Sequence, residues 1–207
     1  MRRAALVTGA SGGAGQEAAR RMAEAGWDVA VHYYRNRAGA EITARAVTET
    51  GQQAAILQAD LADPGAPERL MTAYDHAFPC LHSLINYARI PESCLAACDL
   101  AAERHVRIFA VNLNAPFLLS GLAVRRMSRR FGGEGGVIVN VVPGNALPGT
   151  PANGLDALTR ELAAEAEDVR ILSLRPARPG DVADTILGLV APESGHRTGA
   201  QRCGPLH

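Results

Sequence analysis

Ala4-Ala5-Leu6-Val7-Thr8-Gly9-Ala10-Ser11-Gly12-Gly13-Ala14-Gly15 decides how this chain is read. The four apolar residues that open it form a short buried strand. The glycines behind them permit a tight turn and a close backbone approach to a ligand. Ala14, Ala18, Met22 and Ala23 then recur at helical spacing, and Gly26 closes that helix. A strand, a glycine turn and a helix in this order present free N–H groups at a helix start. That arrangement suits the pyrophosphate of a dinucleotide.

The alternation continues outward from this unit. Val29-Ala30-Val31 predicts a second strand, and a helix through Ile42, Ala46 and Val47 ends at Gly51. Ala54–Ala59 is a third strand. Asp63-Pro64 reads as N-cap and first turn of a helix carrying Leu70, Met71 and Tyr74. Leu84-Ile85 centres a fourth strand, and a long helical stretch covers Leu95–Arg130. Val137–Val142 is the fifth strand, Leu155, Leu158 and Leu162 mark a helix, and Val169–Leu174 is the sixth strand. Val182, Ile186, Leu189 and Val190 mark the last helix, and Thr198–Cys203 offers a weak edge strand. Continuous apolar strands alternating with helices predict a three-layer α/β fold, a doubly wound parallel sheet of the Rossmann type, in a single domain over 1–207.

Composition narrows the function classes. With 21 basic and 21 acidic residues the net charge is zero, which lacks the basic footprint of a nucleic-acid binder. No apolar run reads as a membrane span, and Met1–Gly9 enters its turn too early for a signal peptide, so a cytoplasmic protein is expected. Cys80, Cys94, Cys98 and Cys203 read as reduced thiols, with no metal-ligand spacing among them. All the basic residues are arginine, and lysine is absent from the chain.

The spacing Thr-Gly-x-x-x-Gly-x-Gly resembles the short-chain dehydrogenase/reductase family. Further residues agree. Asp60-Leu61 matches the family's acidic residue near the adenine, and Asn86-Tyr87-Ala88-Arg89 stands where the family has Asn-Asn-Ala-Gly. Val111-Asn112-Leu113 matches the helix of the active-site asparagine, and Pro176-Ala177 stands where the family has Pro-Gly. The resemblance implies that Gly9, Ser11, Gly12, Gly13, Ala14, Asp60, Leu61, Asn86 and Ala88 contact the cofactor.

Cofactor preference is expected from the second strand. It ends His32-Tyr33-Tyr34-Arg35 and lacks the acid that binds a free ribose 2′-hydroxyl. Tyr34 and Arg35 then suit a 2′-phosphate, hence NADP(H), although a solvated arginine at a helix start reads the same way.

The resemblance also implies a catalytic serine, tyrosine and lysine, and here the chain departs from it. Val142-Pro143-Gly144-Asn145 has no serine. Pro148 and Ala152 fall at the tyrosine and lysine positions, in a connection shorter than the family's, and the segment after Pro176 is also cut short. Asn112 remains, and Pro116 cannot donate to its carbonyl, which serves either the family's proton relay or a packing kink. Tyr87 is the last tyrosine of the chain, at the carboxyl edge of the sheet, and reads as a substitute acid or as a packing residue. Two functions follow. One is an NADP(H)-binding protein repurposed as a nucleotide-binding regulator or a partner subunit. The alternative is an NADP-dependent carbonyl oxidoreductase with a non-standard proton donor. A homo-oligomer, or a hetero-oligomer with a family relative, is expected through the Leu95–Arg130 helices.

Overall fold

The computed structural model describes residues 2–91, 102–143, 150–176, 178–191, 199 and 201–203. The apolar runs become β1 (Arg3–Val7), β2 (Trp27–Tyr33), β3 (Ala54–Gln58), β4 (Ser83–Asn86), β5 (Gly136–Val141), β6 (Val169–Arg175) and β7 (Gln201–Cys203). Between them lie α1 (Gly13–Glu24), α2 (Arg37–Glu49), α3 (Ala66–Ala77), α4 (Ala102–Phe109), α5 (Ala115–Met127), α6 (Pro151–Glu165) and α7 (Val182–Val190). All strand pairs are parallel, in the order β3-β2-β1-β4-β5-β6-β7.

Strand parity divides the core. Ala5, Val7, Val29, Val31, Val139 and Leu172 meet Ala18, Met22, Val47, Ile186 and Leu189 of α1, α2 and α7 on one face. Leu6, Ala30, Leu84, Ile138 and Ile171 meet Leu70, Met71, Tyr74, Leu119, Ala123 and Ala163 of α3, α5 and α6 on the other. Leu6 pairs with Ala30 on one side and Leu84 on the other, so β1 is central. Strand order reverses direction at β1 and β4, and the loops leaving their carboxyl ends diverge there. That crevice is where open sheets of this kind bind ligands.

Some expectations need correction. α3 is capped at Gly65, with Pro67 in its first turn, rather than at Asp63. Asp63 instead accepts from Gly65 N (2.9 Å) and pairs with Arg69 (2.6 Å), a local turn that precedes the helix. The long helical stretch is not uniform: between α4 and α5 the chain takes a π turn over Ala110–Asn114, in which Ala115 N donates to Ala110 O. Pro116 has no N–H to offer, and the wider turn accommodates that loss. Residues 95–101 of that stretch, with Cys94 and Cys98, lie outside the described residues. Ala102–Met127 is long and apolar enough to cross a membrane by length and composition alone, its 18-residue window reaching a mean hydropathy of 1.4. Ile108, Leu119, Ala123 and Met127 are buried in this fold, which accounts for that apolar character.

Candidate functional site

The glycine loop is fixed from three directions. Gly9 adopts φ +69°, and a Cβ there would come within 2.8 Å of Ala88 Cα, so only glycine fits where β1 and β4 loops touch. Thr8 Oγ1 accepts from both Tyr87 N and Ala88 N at 3.0 Å. From the β2–α2 side, His32 Nδ1 accepts from Gly9 N (3.1 Å). Thr43 Oγ1 donates to Ala10 O (2.8 Å), and Asn36 Nδ2 donates to Ser11 O (2.8 Å). Asn36 Oδ1 meanwhile accepts from Gly39 N and caps α2. Sequence reasoning missed His32, Asn36 and Thr43. Only Asn36 carried a readable signal, as a capping residue before a helix.

His32 is buried, and its ring bridges two strands. With Nδ1 accepting from Gly9, Nε2 carries the proton and donates to Ala59 O (3.2 Å). Burial lowers its pKa from 6.5 to about 4. Above pH 6.5 folded and unfolded chains both hold it neutral, and its contribution is complete. Between 6.5 and 4 the unfolded chain takes up a proton that the fold refuses, so stability falls as pH falls, by about 3 kcal/mol in total. We expect urea unfolding to show this loss in the native chain and a shallower pH dependence in His32→Gln. Identical slopes in the two proteins would refute the assignment.

A cavity of about 290 Å³ opens at the carboxyl edge beside this loop. Gly9 and Ser11 line it from the β1 loop, with Tyr34, Arg35 and Asn36 after β2 and Asp60 and Leu61 after β3 on one side, and Ala88 and Arg89 after β4 on the other. Arg107 of α4 reaches across and donates to both carboxylate oxygens of Asp60, at 2.8 and 3.0 Å. Burial works to raise the Asp60 pKa, but the Ala62 N–H and the Arg107 guanidinium outweigh it and hold the carboxyl below its usual range. The Tyr34 ring carries guanidinium groups at 4.8 Å (Arg35) and 5.1 Å (Arg107).

Gly12, Gly13 and Ala14 sit at the start of α1 rather than around this cavity. A Cβ on Gly12 would meet nothing within 4 Å, so that backbone faces open space. Tyr87 lies beneath the loop. A Cβ on Gly15 would strike its ring at 2.6 Å, and its hydroxyl is the nearest group to a Cβ on Gly13, at 3.8 Å. The Asn86 side chain does not reach the cavity. It is buried and donates to Asn140 Oδ1 (2.8 Å), with Pro116 O and Ser120 Oγ at 3.3 Å, because β4 parity turns it toward α5.

The Asn112 side chain is engaged with the backbone of the β4 loop, donating to Ile90 O and accepting from Ile90 N, each at 2.8 Å. It joins the π turn to the cavity wall. Across the sheet edge, Ala152 is buried in a small cluster with Val142 and Leu155, against Leu113. Residues 144–149, including Gly144, Asn145 and Pro148, lie outside the described residues. Below the start of α6, Arg175 donates to Asp156 Oδ2 (2.6 Å), Pro143 O (2.9 Å) and Asn153 Oδ1 (3.2 Å). Ser173 Oγ donates to the other Asp156 oxygen. This polar network was not foreseen. A larger cavity, about 620 Å³, lies at the far edge between the ends of α5 and α6, away from the glycine loop and from Asn112.

A family model described as short chain dehydrogenase matches residues 3–178. The uncharacterized oxidoreductase YgfF of Escherichia coli (strain K12) is 35% identical over 183 residues, covering 83% of this chain and 74% of that protein. A short-chain type dehydrogenase/reductase of Picea abies is 35% identical over 178 residues, 83% of this chain and 64% of its own length. Among solved structures, the promiscuous reductase LugOII, which catalyses keto-reduction at C1 during lugdunomycin biosynthesis, superposes with a TM-score of 0.85 at 31% identity. That superposition covers 97% of this chain and 94% of LugOII. The landomycin C-6 ketoreductase LanV, solved with bound NADP and rabelomycin, gives 0.86 at 26% identity with the same coverage. The glycine loop, the sheet order and these matches agree, and the chain belongs to the short-chain dehydrogenase family of oxidoreductases.

Proposed function

We propose that this chain binds NADP(H) across the carboxyl edge of the sheet and does so without the family's carbonyl reduction, as a nucleotide-binding regulator or partner subunit. The observation that carries the reading is Ala152. It stands at the family's lysine position, is buried among Val142, Leu155 and Leu113, and belongs to a chain without lysine. The residues present suit a dinucleotide. Gly9 lets the β1 and β4 loops meet at the sheet edge, Gly12 faces open space, and α1 directs free N–H groups outward from Gly13. The cavity is of a size for one adenosine unit, near the lower end of the ~300–1,000 Å³ typical of ligand pockets. Leu61 and Ala88 line its apolar part, and Asp60 is oriented there by Arg107.

A bound NADPH supplies a hydride. The residues of this chain bind and orient it: the loop held by His32, Asn36 and Thr43 fixes the pyrophosphate end, and Tyr34 with Arg35 receives the 2′-phosphate. The reading takes residues 1–207 as one working domain in the cytoplasm, with no part for metal, nucleic acid or membrane. Arg35→Ala is expected to weaken NADPH by about 1–3 kcal/mol and leave NADH nearly unchanged, as for a lost charge-assisted hydrogen bond. Calorimetric titration of both nucleotides checks this, and equal affinity of the native chain for NADPH and NADH would defeat it.

The exposed apolar side chains Phe117 and Leu118 on α5 support assembly with a second copy or a family relative. Light scattering at micromolar concentration is expected to give a dimer or larger species. A monomer that stays monomeric beside a family relative would refute that part of the reading. The alternative, an NADP-dependent oxidoreductase, rests on Tyr87, whose hydroxyl is directed toward Gly13 at the start of α1. In that reading the nucleotide gives its hydride to the carbonyl carbon and the Tyr87 phenol gives its proton to the carbonyl oxygen.

A further inference from the structure

We propose that Arg89 is a second ligand for a ribose phosphate, closing on it from the wall opposite Arg35. The inference rests on the NADP(H) reading and names which charges of that site select the ligand. Among the described residues, three arginines line the cavity, Arg35, Arg89 and Arg107, against one acid, Asp60. Arg107 and Asp60 neutralise each other through two hydrogen bonds. Two guanidinium groups are then left over. The Arg35 guanidinium lies against the Tyr34 ring and donates to its hydroxyl (3.2 Å), and among the described residues neither Arg35 nor Arg89 has an acid partner.

The two come from different elements. Arg35 follows β2, and Arg89 follows β4, with the Gly9–Ser11 loop of the central strand between them. Backbone bonds hold both walls: Ala88 N to Thr8 Oγ1, and Ile90 to the Asn112 side chain. The stem of Arg89 therefore springs from a fixed point, and its exposed head is free to turn inward. A cavity bearing two positive charges with no acid partner among the described residues, in a chain whose net charge is zero, suits a dianion. A phosphate monoester on an adenosine ribose is such a group, and guanidinium forks match its oxygens. Asp60, already engaged by Arg107, offers little repulsion.

The test titrates the native chain, Arg35→Ala, Arg89→Ala and the double variant with NADPH, NADH, adenosine 2′,5′-bisphosphate and inorganic phosphate. Arg89→Ala is expected to weaken NADPH and the bisphosphate about tenfold, with NADH unchanged within twofold. Two ligands of one phosphate should also couple, so the double variant should lose less than the product of the single losses, and a loss equal to that product overturns the sharing of one phosphate. Equal loss for NADPH and NADH, or no loss for either, overturns the role of Arg89 while the NADP(H) reading stands. Tight bisphosphate binding without NADPH binding removes the dinucleotide reading and keeps the two-arginine site. Binding of neither overturns both, and inorganic phosphate binding as tightly as the bisphosphate shows a nonspecific anion patch and overturns the proposal.

Discussion

Replacing Arg175 by Met is expected to destabilise the fold by about 3–5 kcal/mol. Arg175 and Asp156 are both largely buried, with side-chain exposures of 14% and 7%. The guanidinium answers three acceptors at once: Asp156, Pro143 O and Asn153 Oδ1. Removing it takes the guanidinium away from a buried carboxylate that also accepts from the Ser173 hydroxyl, and unfastens the exit of β5 from α6. The cost comes from the abandoned charge more than from the attraction of the pair. A double variant, Asp156→Leu with Arg175→Met, should therefore recover most of the loss. Urea unfolding of the three proteins checks this. A single-variant loss below about 1 kcal/mol, the value of an exposed pair, would show that water already reaches the network.

Ketone reduction is the second large effect. Loss of a positioned acid and its neighbouring cation typically costs about 10²–10⁴ in rate. Measured beside a family reductase under identical conditions, this chain should fall short by at least that factor. The expectation rests on Ala152, which is enclosed by aliphatic side chains where the family has its lysine. Whatever turnover remains tests the alternative reading. If Tyr87 donates the proton, Tyr87→Phe abolishes the residual rate and leaves NADPH affinity intact. A residual rate indifferent to that change removes Tyr87 from the chemistry and leaves it as the side chain that fills the space over Gly15.

Much of the fold was legible because parallel strands buried on both faces announce themselves as apolar runs, and helices between them keep their spacing. β2 and β6 came out longer than their apolar centres, since Trp27, Asp28, His32 and Arg175 also join the ladder. What escaped was local chemistry that overrides a plain pattern. Asp63 resembles a cap, yet its carboxylate closes a turn two residues too early. Pro116 announces a disturbance, but a π turn and a kink leave the same trace in sequence. The Asn86 side chain follows two-residue parity with Leu84 into the α5 face, a placement that the resemblance does not carry. The clamps on the glycine loop were hidden for another reason. His32 and Thr43 lie 23 and 33 residues from the groups they hold, and only the folded sheet brings them together.

One measurement bears on the central claim more directly than the rest. Protein saturated with NADPH is mixed with a panel of ketones, and the reduced nicotinamide is followed by its absorbance. The account predicts stoichiometric NADPH binding with no consumption above the protein-free blank. Sustained consumption near the enzyme median of about 10 s⁻¹ would contradict it.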